Sequence, residues 1–183
     1  MTKYFIFIPN LLSIIRIALV YPILNNIYLG NFKISIAIFL VASLTDALDG
    51  FLARKMEWQT ELGQILDPVA DKLLLSGTVF ILWLNNFLPF YIFVILISRD
   101  VVILVGAAVQ MSLIESYTPA PNLLGKITTS LQIIYISIIF LNEIFNSNIT
   151  FDFLNIITIS ITLLSLIVYA ISWYKDLREY HNE

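Results

Sequence analysis

Apolar runs long enough to cross a bilayer recur along the chain, and short polar breaks separate them. A spanning helix takes about 20 predominantly apolar residues. On that measure the pattern predicts six spans, near residues 10–29, 34–53, 63–84, 89–111, 123–145 and 150–172. The breaks carry turn chemistry. Pro9-Asn10 opens the first span, where proline is tolerated at a helix start. Gly30-Asn31-Phe32-Lys33 divides the first span from the second, and Asn85-Asn86 with Pro89 divides the third from the fourth. The polar segment Lys55 to Leu62 links the second and third. Residues 112–122, with two prolines, form the longest loop, and Asn146-Ser147-Asn148 precedes the last span. The chain ends in the charged segment WYKDLREYHNE, read as an emerging helix end. The expectation is an all-α integral membrane protein of about six transmembrane helices, residues 1–183 forming a single domain.

Composition supports this. The 183 residues are 59% hydrophobic with a mean hydropathy of +0.88, above the roughly 45–50% apolar share of soluble domains. No cysteine is present, which excludes a disulfide framework and thiolate chemistry. The single histidine, His181, lies in the polar tail. A net charge of −3 without a basic cluster argues against a nucleic-acid partner. The first 20 residues are expected to be retained, because Arg16 interrupts their apolar run and no small-residue cleavage site follows. Lys3, Arg54, Lys55, Lys126, Lys175 and Arg178 fall on one side of a six-span topology and only Lys33 on the other. The positive-inside rule then places both termini and the loop after Arg54 in the cytoplasm, across a bacterial inner membrane or its equivalent.

Charge is concentrated in one stretch, DALDGFLARKMEWQTELGQILDPVADK, which begins at Asp46. Asp46 and Asp49 are three positions apart, and Asp67 and Asp71 four, so each pair stacks on one helical face. One aspartate at the centre of a membrane helix costs roughly 2.5–3.5 kcal/mol. Proximity to the water interface, neutralising cations, or both must offset four of them. Oxygen ligands without nearby Cys or His suit Mg²⁺, Mn²⁺ or Ca²⁺ rather than zinc. Two such ions would clamp a diphosphate and stabilise charge on the attacking and leaving oxygens. Gly50 and Gly63 allow close approach of a helix or ligand, and Arg54 offers a bidentate fork to a phosphate or carboxylate. Interfacial aspartates paired with Arg54, Lys55 and Lys72 would be the purely structural alternative, but it explains neither the spacing nor the glycines.

The pattern Asp46-x2-Asp49-Gly50-x2-Ala53-Arg54-x8-Gly63-x3-Asp67-x3-Asp71 resembles, position for position, the signature of the CDP-alcohol phosphotransferases, membrane enzymes of phospholipid synthesis. The resemblance implies that Asp46, Asp49, Asp67 and Asp71 bind two ions, Mg²⁺ or Mn²⁺. It implies further that Asp71 is the general base, and that Gly50, Ala53, Arg54 and Gly63 surround the CDP-linked donor. The active site would lie at the cytoplasmic ends of helices 2 and 3. An acceptor alcohol would attack the lipid-side phosphorus of CDP-diacylglycerol and release CMP. Family members of this kind are usually homodimers.

Three further places bear on the acceptor. Pro9-Asn10-Leu11-Leu12-Ser13-Ile14-Ile15-Arg16 resembles the opening of the phosphatidylglycerophosphate synthases and CMP-forming cardiolipin synthases, with Arg16 a candidate phosphate contact. Arg99, in Ser98-Arg99-Asp100, is a second; being adjacent to Asp100, it need not pair with it. Lys126, near Thr129 and Gln132, is a third. Phosphatidylglycerophosphate synthases typically carry Arg-Glu in the fourth span and a second Arg eight residues on, where this chain has Asp100 and Ala107. The missing cation favours phosphatidylglycerol, with one phosphodiester charge, as acceptor; glycerol 3-phosphate is the alternative. Two other classes are weaker. Intramembrane prenyltransferases separate their aspartate motifs widely, and a small cation transporter or channel would explain intramembrane carboxylates without CMP release.

Overall fold

The computed structural model describes residues 8–56, 61–113, 123–147 and 149–182, with the side chains of 8–9, 46–56, 61–65, 68, 111, 113, 177 and 179–182 outside that description. Among the described residues there are six α-helices and no strand: α1 (Ile8–Tyr28), α2 (Phe32–Met56), α3 (Glu61–Leu84), α4 (Phe90–Leu113), α5 (Leu123–Phe145) and α6 (Asp152–Asn182). Each expected span is a helix. The largest difference is at α6, which continues past residue 172 through the charged tail, whose Lys, Leu, Arg and Glu are good helix formers.

The turns follow from the residues that break the apolar pattern. After α1, Gly30 adopts a φ of +76°, the Gly30 N–H donates to the Ile27 carbonyl and the Asn31 N–H to the Asn26 carbonyl. This is a Schellman cap, which needs a residue tolerant of the left-handed region. Asn86 (φ 62°) closes α3 in the same way, through Asn86 N–H to Trp83 and Phe87 N–H to Leu82. Asn146 (φ 47°) follows α5, with the Ser147 N–H bonded to Asn142. Gly and Asn are the residues that enter this region at least cost.

Among the described residues, four helices contain segments long and apolar enough to cross a bilayer: Asn10–Tyr28, Phe90–Gln110, Leu123–Phe145 and Asp152–Asp176. In α2 the apolar segment Phe32–Thr45 is followed in sequence by Asp46, Asp49, Arg54 and Lys55. The first half of α3 is likewise charged, with Glu61, Asp67, Asp71 and Lys72. Burial is inverted relative to a soluble protein. On α1, Leu11, Ile14 and Ile15 are exposed, whereas Ser13 and Arg16 are 0% and 1% exposed. On α6, Phe153, Ile156, Leu163, Leu164 and Ile167 face outward while Asn155, Thr158, Thr162 and Ser165 are buried. Apolar outside and polar inside is the arrangement a lipid environment stabilises. The protein is an all-α membrane protein.

The helices group into two compact units. The first comprises Met1–Leu88 with Ile136–Asn148. Here α1 packs on both α2 and α3 around Ile23, Ile27, Phe39, Leu74 and Leu82. Edge-on aromatic contacts support this core, Phe32 on Phe87 at 4.9 Å and Phe39 on Phe140 at 5.7 Å. The second unit comprises Pro89–Tyr135 with Ile149–Glu183, and α4 packs there on α6. A Cβ on Gly106 would stand 1.7 Å from Cη2 of Trp173, so the indole fits against α4 only over a glycine. A chain of hydrogen bonds runs from the buried Tyr135 hydroxyl to Asn155 Oδ1 at 2.6 Å and from Asn155 Nδ2 outward to the Tyr91 hydroxyl at 3.1 Å. Without water to satisfy them, polar side chains in such a setting must pair with each other.

Candidate active site

The backbone places Asp46, Asp49, Gly50, Ala53 and Arg54 along the second half of α2, and Gly63, Asp67 and Asp71 along the first half of α3. The side chains of Asp46, Asp49, Ala53 and Arg54, and the surroundings of Gly50 and Gly63, lie outside the described residues. On α3 the described part is informative. Asp67, Asp71, Leu74 and Thr78 lie along one stripe. Leu74 and Thr78 are buried at the C-terminal end of that stripe, whereas Asp67 and Asp71 are partly exposed. The stripe that forms core further along therefore becomes a pair of accessible carboxylates one turn apart.

The neighbouring helix α1 completes this wall. The hydroxyl of Ser13 donates to Oδ1 of Asp67. Further along, a Cβ at Gly77 of α3 would stand 3.5 Å from Leu24 and 3.6 Å from Val20. The contacts advance in the same direction on both helices, so α1 and α3 run parallel, as helices separated by one intervening pass do. Arg16, one turn beyond Ser13, is the largest fully buried side chain described. A charged side chain buried in a membrane bundle is costly unless other groups compensate it.

Two of the three candidate acceptor cations, Arg99 and Lys126, belong to the second unit; Arg16 belongs to the first with the carboxylates. Arg99 is 3% exposed, and its Nη1 donates to Oδ1 of Asp100 at 2.6 Å. This corrects the expectation that the adjacent residues need not pair. Successive side chains leave a helix in different directions, but an arginine stem is long enough to fold back. In an apolar interior the charge is stabilised by the nearest carboxylate. Arg99 Nη2 also donates to the Gly125 carbonyl at 3.4 Å, a long bond that brings the guanidinium to the first turn of α5. Lys126 follows there and is exposed. A Cβ at Gly125 would stand 2.6 Å from the Tyr169 hydroxyl, so this turn lies close against α6. Thr129 donates back to the Gly125 carbonyl at 3.1 Å, and Gln132 is buried. Ala107 is partly exposed and supplies no charge.

The donor chemistry of the α3 pair fits a hard divalent cation. Asp67 and Asp71 present carboxylate oxygens one turn apart and remain accessible, and the described neighbours include no sulfur or imidazole ligand. Ser13 lies in the opening motif, but its contact is not visible in the sequence because its partner is 54 positions away.

Comparison with known proteins agrees with these features. A family model described as CDP-alcohol phosphatidyltransferase matches residues 6–173. A CDP-diacylglycerol–glycerol-3-phosphate 3-phosphatidyltransferase of Aquifex aeolicus is 36% identical over 174 residues, covering 91% of this chain and 91% of the relative. One from Bacillus subtilis is 34% identical over 165 residues, covering 80% and 82%. A CMP-forming cardiolipin synthase of Rattus norvegicus is 33% identical over 156 residues, covering 76% of this chain and 51% of the relative.

Proposed function

The chain belongs to the CDP-alcohol phosphatidyltransferase family, and we propose that it transfers the phosphatidyl group of CDP-diacylglycerol to glycerol 3-phosphate, releasing CMP. The observation that carries the acceptor is the near end-to-end match to a glycerol-3-phosphate phosphatidyltransferase, 91% of both chains. Phosphatidylglycerol, expected from Asp100 and Ala107, becomes the second reading. What favours it is the Arg99–Asp100 pair, which leaves less net positive charge for a dianionic phosphate than an unpaired arginine would.

In this reading Asp46, Asp49, Asp67 and Asp71 hold divalent cations, Mg²⁺ or Mn²⁺, and Gly50, Ala53, Arg54 and Gly63 surround the donor. Bound cations supply neutralisation of the diphosphate charge. Asp71 takes the proton from the acceptor hydroxyl. The hydroxyl oxygen bonds to the lipid-side phosphorus, the bond from that phosphorus to the bridging oxygen breaks, and CMP departs with the electron pair. Arg16, Arg99 and Lys126 orient phosphate groups. The basic residues support a cytoplasmic site, where a soluble acceptor is at hand.

An acceptor competition tests this. Purified protein with CDP-diacylglycerol and Mg²⁺ is offered equal amounts of labelled glycerol 3-phosphate and phosphatidylglycerol. The expected product is phosphatidylglycerophosphate; cardiolipin as the main product would establish the second reading.

A further inference from the structure

Hydroxyl side chains on these helices mostly bond back to their own backbone. Ser35, Thr45, Thr78, Thr128, Thr129 and Thr162 each donate to the carbonyl one turn earlier, the usual way a helical hydroxyl is satisfied. The hydroxyl of Ser13 reaches a different helix and donates to Oδ1 of Asp67. Ser13 is fully buried between the helices, whereas Asp67 is partly exposed. The bond therefore comes from a buried hydroxyl to one oxygen of a partly exposed carboxylate.

We propose that Ser13 is a positioning residue for the divalent-cation site: it fixes the rotation of the Asp67 carboxylate so that the remaining oxygen faces the cation. The inference rests on the reading of Asp67 as a metal ligand. A carboxylate has two oxygens and about four acceptor positions, so one bond from Ser13 leaves ligating capacity free. Without it, the carboxylate rotates about χ2, a broad torsion with little intrinsic preference, and cation binding must restrict that motion. The hydroxyl supplies this order before the cation arrives, as outer hydrogen-bond partners of metal ligands do in general.

The test is Mn²⁺ binding to the purified protein in detergent, without donor or acceptor, followed by electron paramagnetic resonance. Ser13→Ala is expected to weaken Mn²⁺ affinity roughly 10- to 100-fold, and Ser13→Thr, which keeps the hydroxyl, to restore it. In turnover, Ser13→Ala should raise the Mg²⁺ concentration for half-maximal rate and leave the KM for CDP-diacylglycerol at saturating Mg²⁺ near wild type. A merely structural role would lower thermal stability and turnover together, with no rescue by excess metal, and would overturn the proposal. So would wild-type Mn²⁺ affinity in Ser13→Ala. If the alanine variant does not fold, Ser13→Cys preserves the volume but donates only weakly, and wild-type affinity in it is equally fatal. Absence of Mn²⁺ binding in the wild type would defeat the metal reading of Asp67 and the inference with it. Failure of the acceptor competition alone would leave the inference standing.

Discussion

Asp71→Asn is expected to lower the rate of CMP release by roughly 10²–10⁴-fold, the range for loss of a general base, while CDP-diacylglycerol still binds. Asn keeps one oxygen that can face a cation but cannot accept the acceptor's proton. The substitution removes a charge from a partly exposed position in the first half of α3, beside the buried Ala70 and Leu74. It leaves the apolar packing in place, so the variant should fold. Single-turnover CMP release and equilibrium donor binding, measured on the same preparation, separate the two roles assigned to this carboxylate. A rate loss with donor affinity retained makes Asp71 the base. A parallel loss of both makes it chiefly a metal ligand.

Asp100→Ala is expected to destabilise the protein by roughly 3–5 kcal/mol, the usual cost of removing one member of a buried ion pair. The 2.6 Å contact joins side chains only 3% and 7% exposed, so water cannot replace the lost carboxylate. The effect is read as a fall in thermal stability in detergent, and Asp100→Glu should recover much of it. The double variant Arg99→Met with Asp100→Leu separates structure from function. Replacing a buried pair by apolar residues of similar volume is often neutral or stabilising, so stability should return. Acceptor KM should rise, because the cation proposed to orient the acceptor phosphate is gone. A double variant with wild-type acceptor KM would show that Arg99 serves only its neighbour.

Much of the architecture was legible in the sequence for definite reasons. Membrane helices must satisfy their backbone internally, so long apolar runs leave little choice of structure. The breaks at Gly30, Asn86 and Asn146 are the residue types that the left-handed caps require. The aspartates of α2 and α3 were legible because charge is costly there and their spacing is helical. What was not legible depends on contacts across the chain or on reach. The Arg99–Asp100 pair escaped because i, i+1 neighbours were judged by direction alone, which underestimates a flexible stem in an apolar interior. The contact of Ser13 escaped because its partner belongs to α3. The acceptor is not legible from one position: Ala107, without a cation, points to phosphatidylglycerol, whereas relatives similar over 80–91% of the chain are named for glycerol 3-phosphate.

In the proposed function the carboxylates of α2 and α3 form a divalent-cation site at which an alcohol displaces CMP from CDP-diacylglycerol. CMP release by chelator-stripped protein, with and without Mg²⁺ and with and without glycerol 3-phosphate, tests it most directly. CMP is expected only when both are present. CMP released without a divalent cation, or equally fast without any acceptor alcohol, would contradict it.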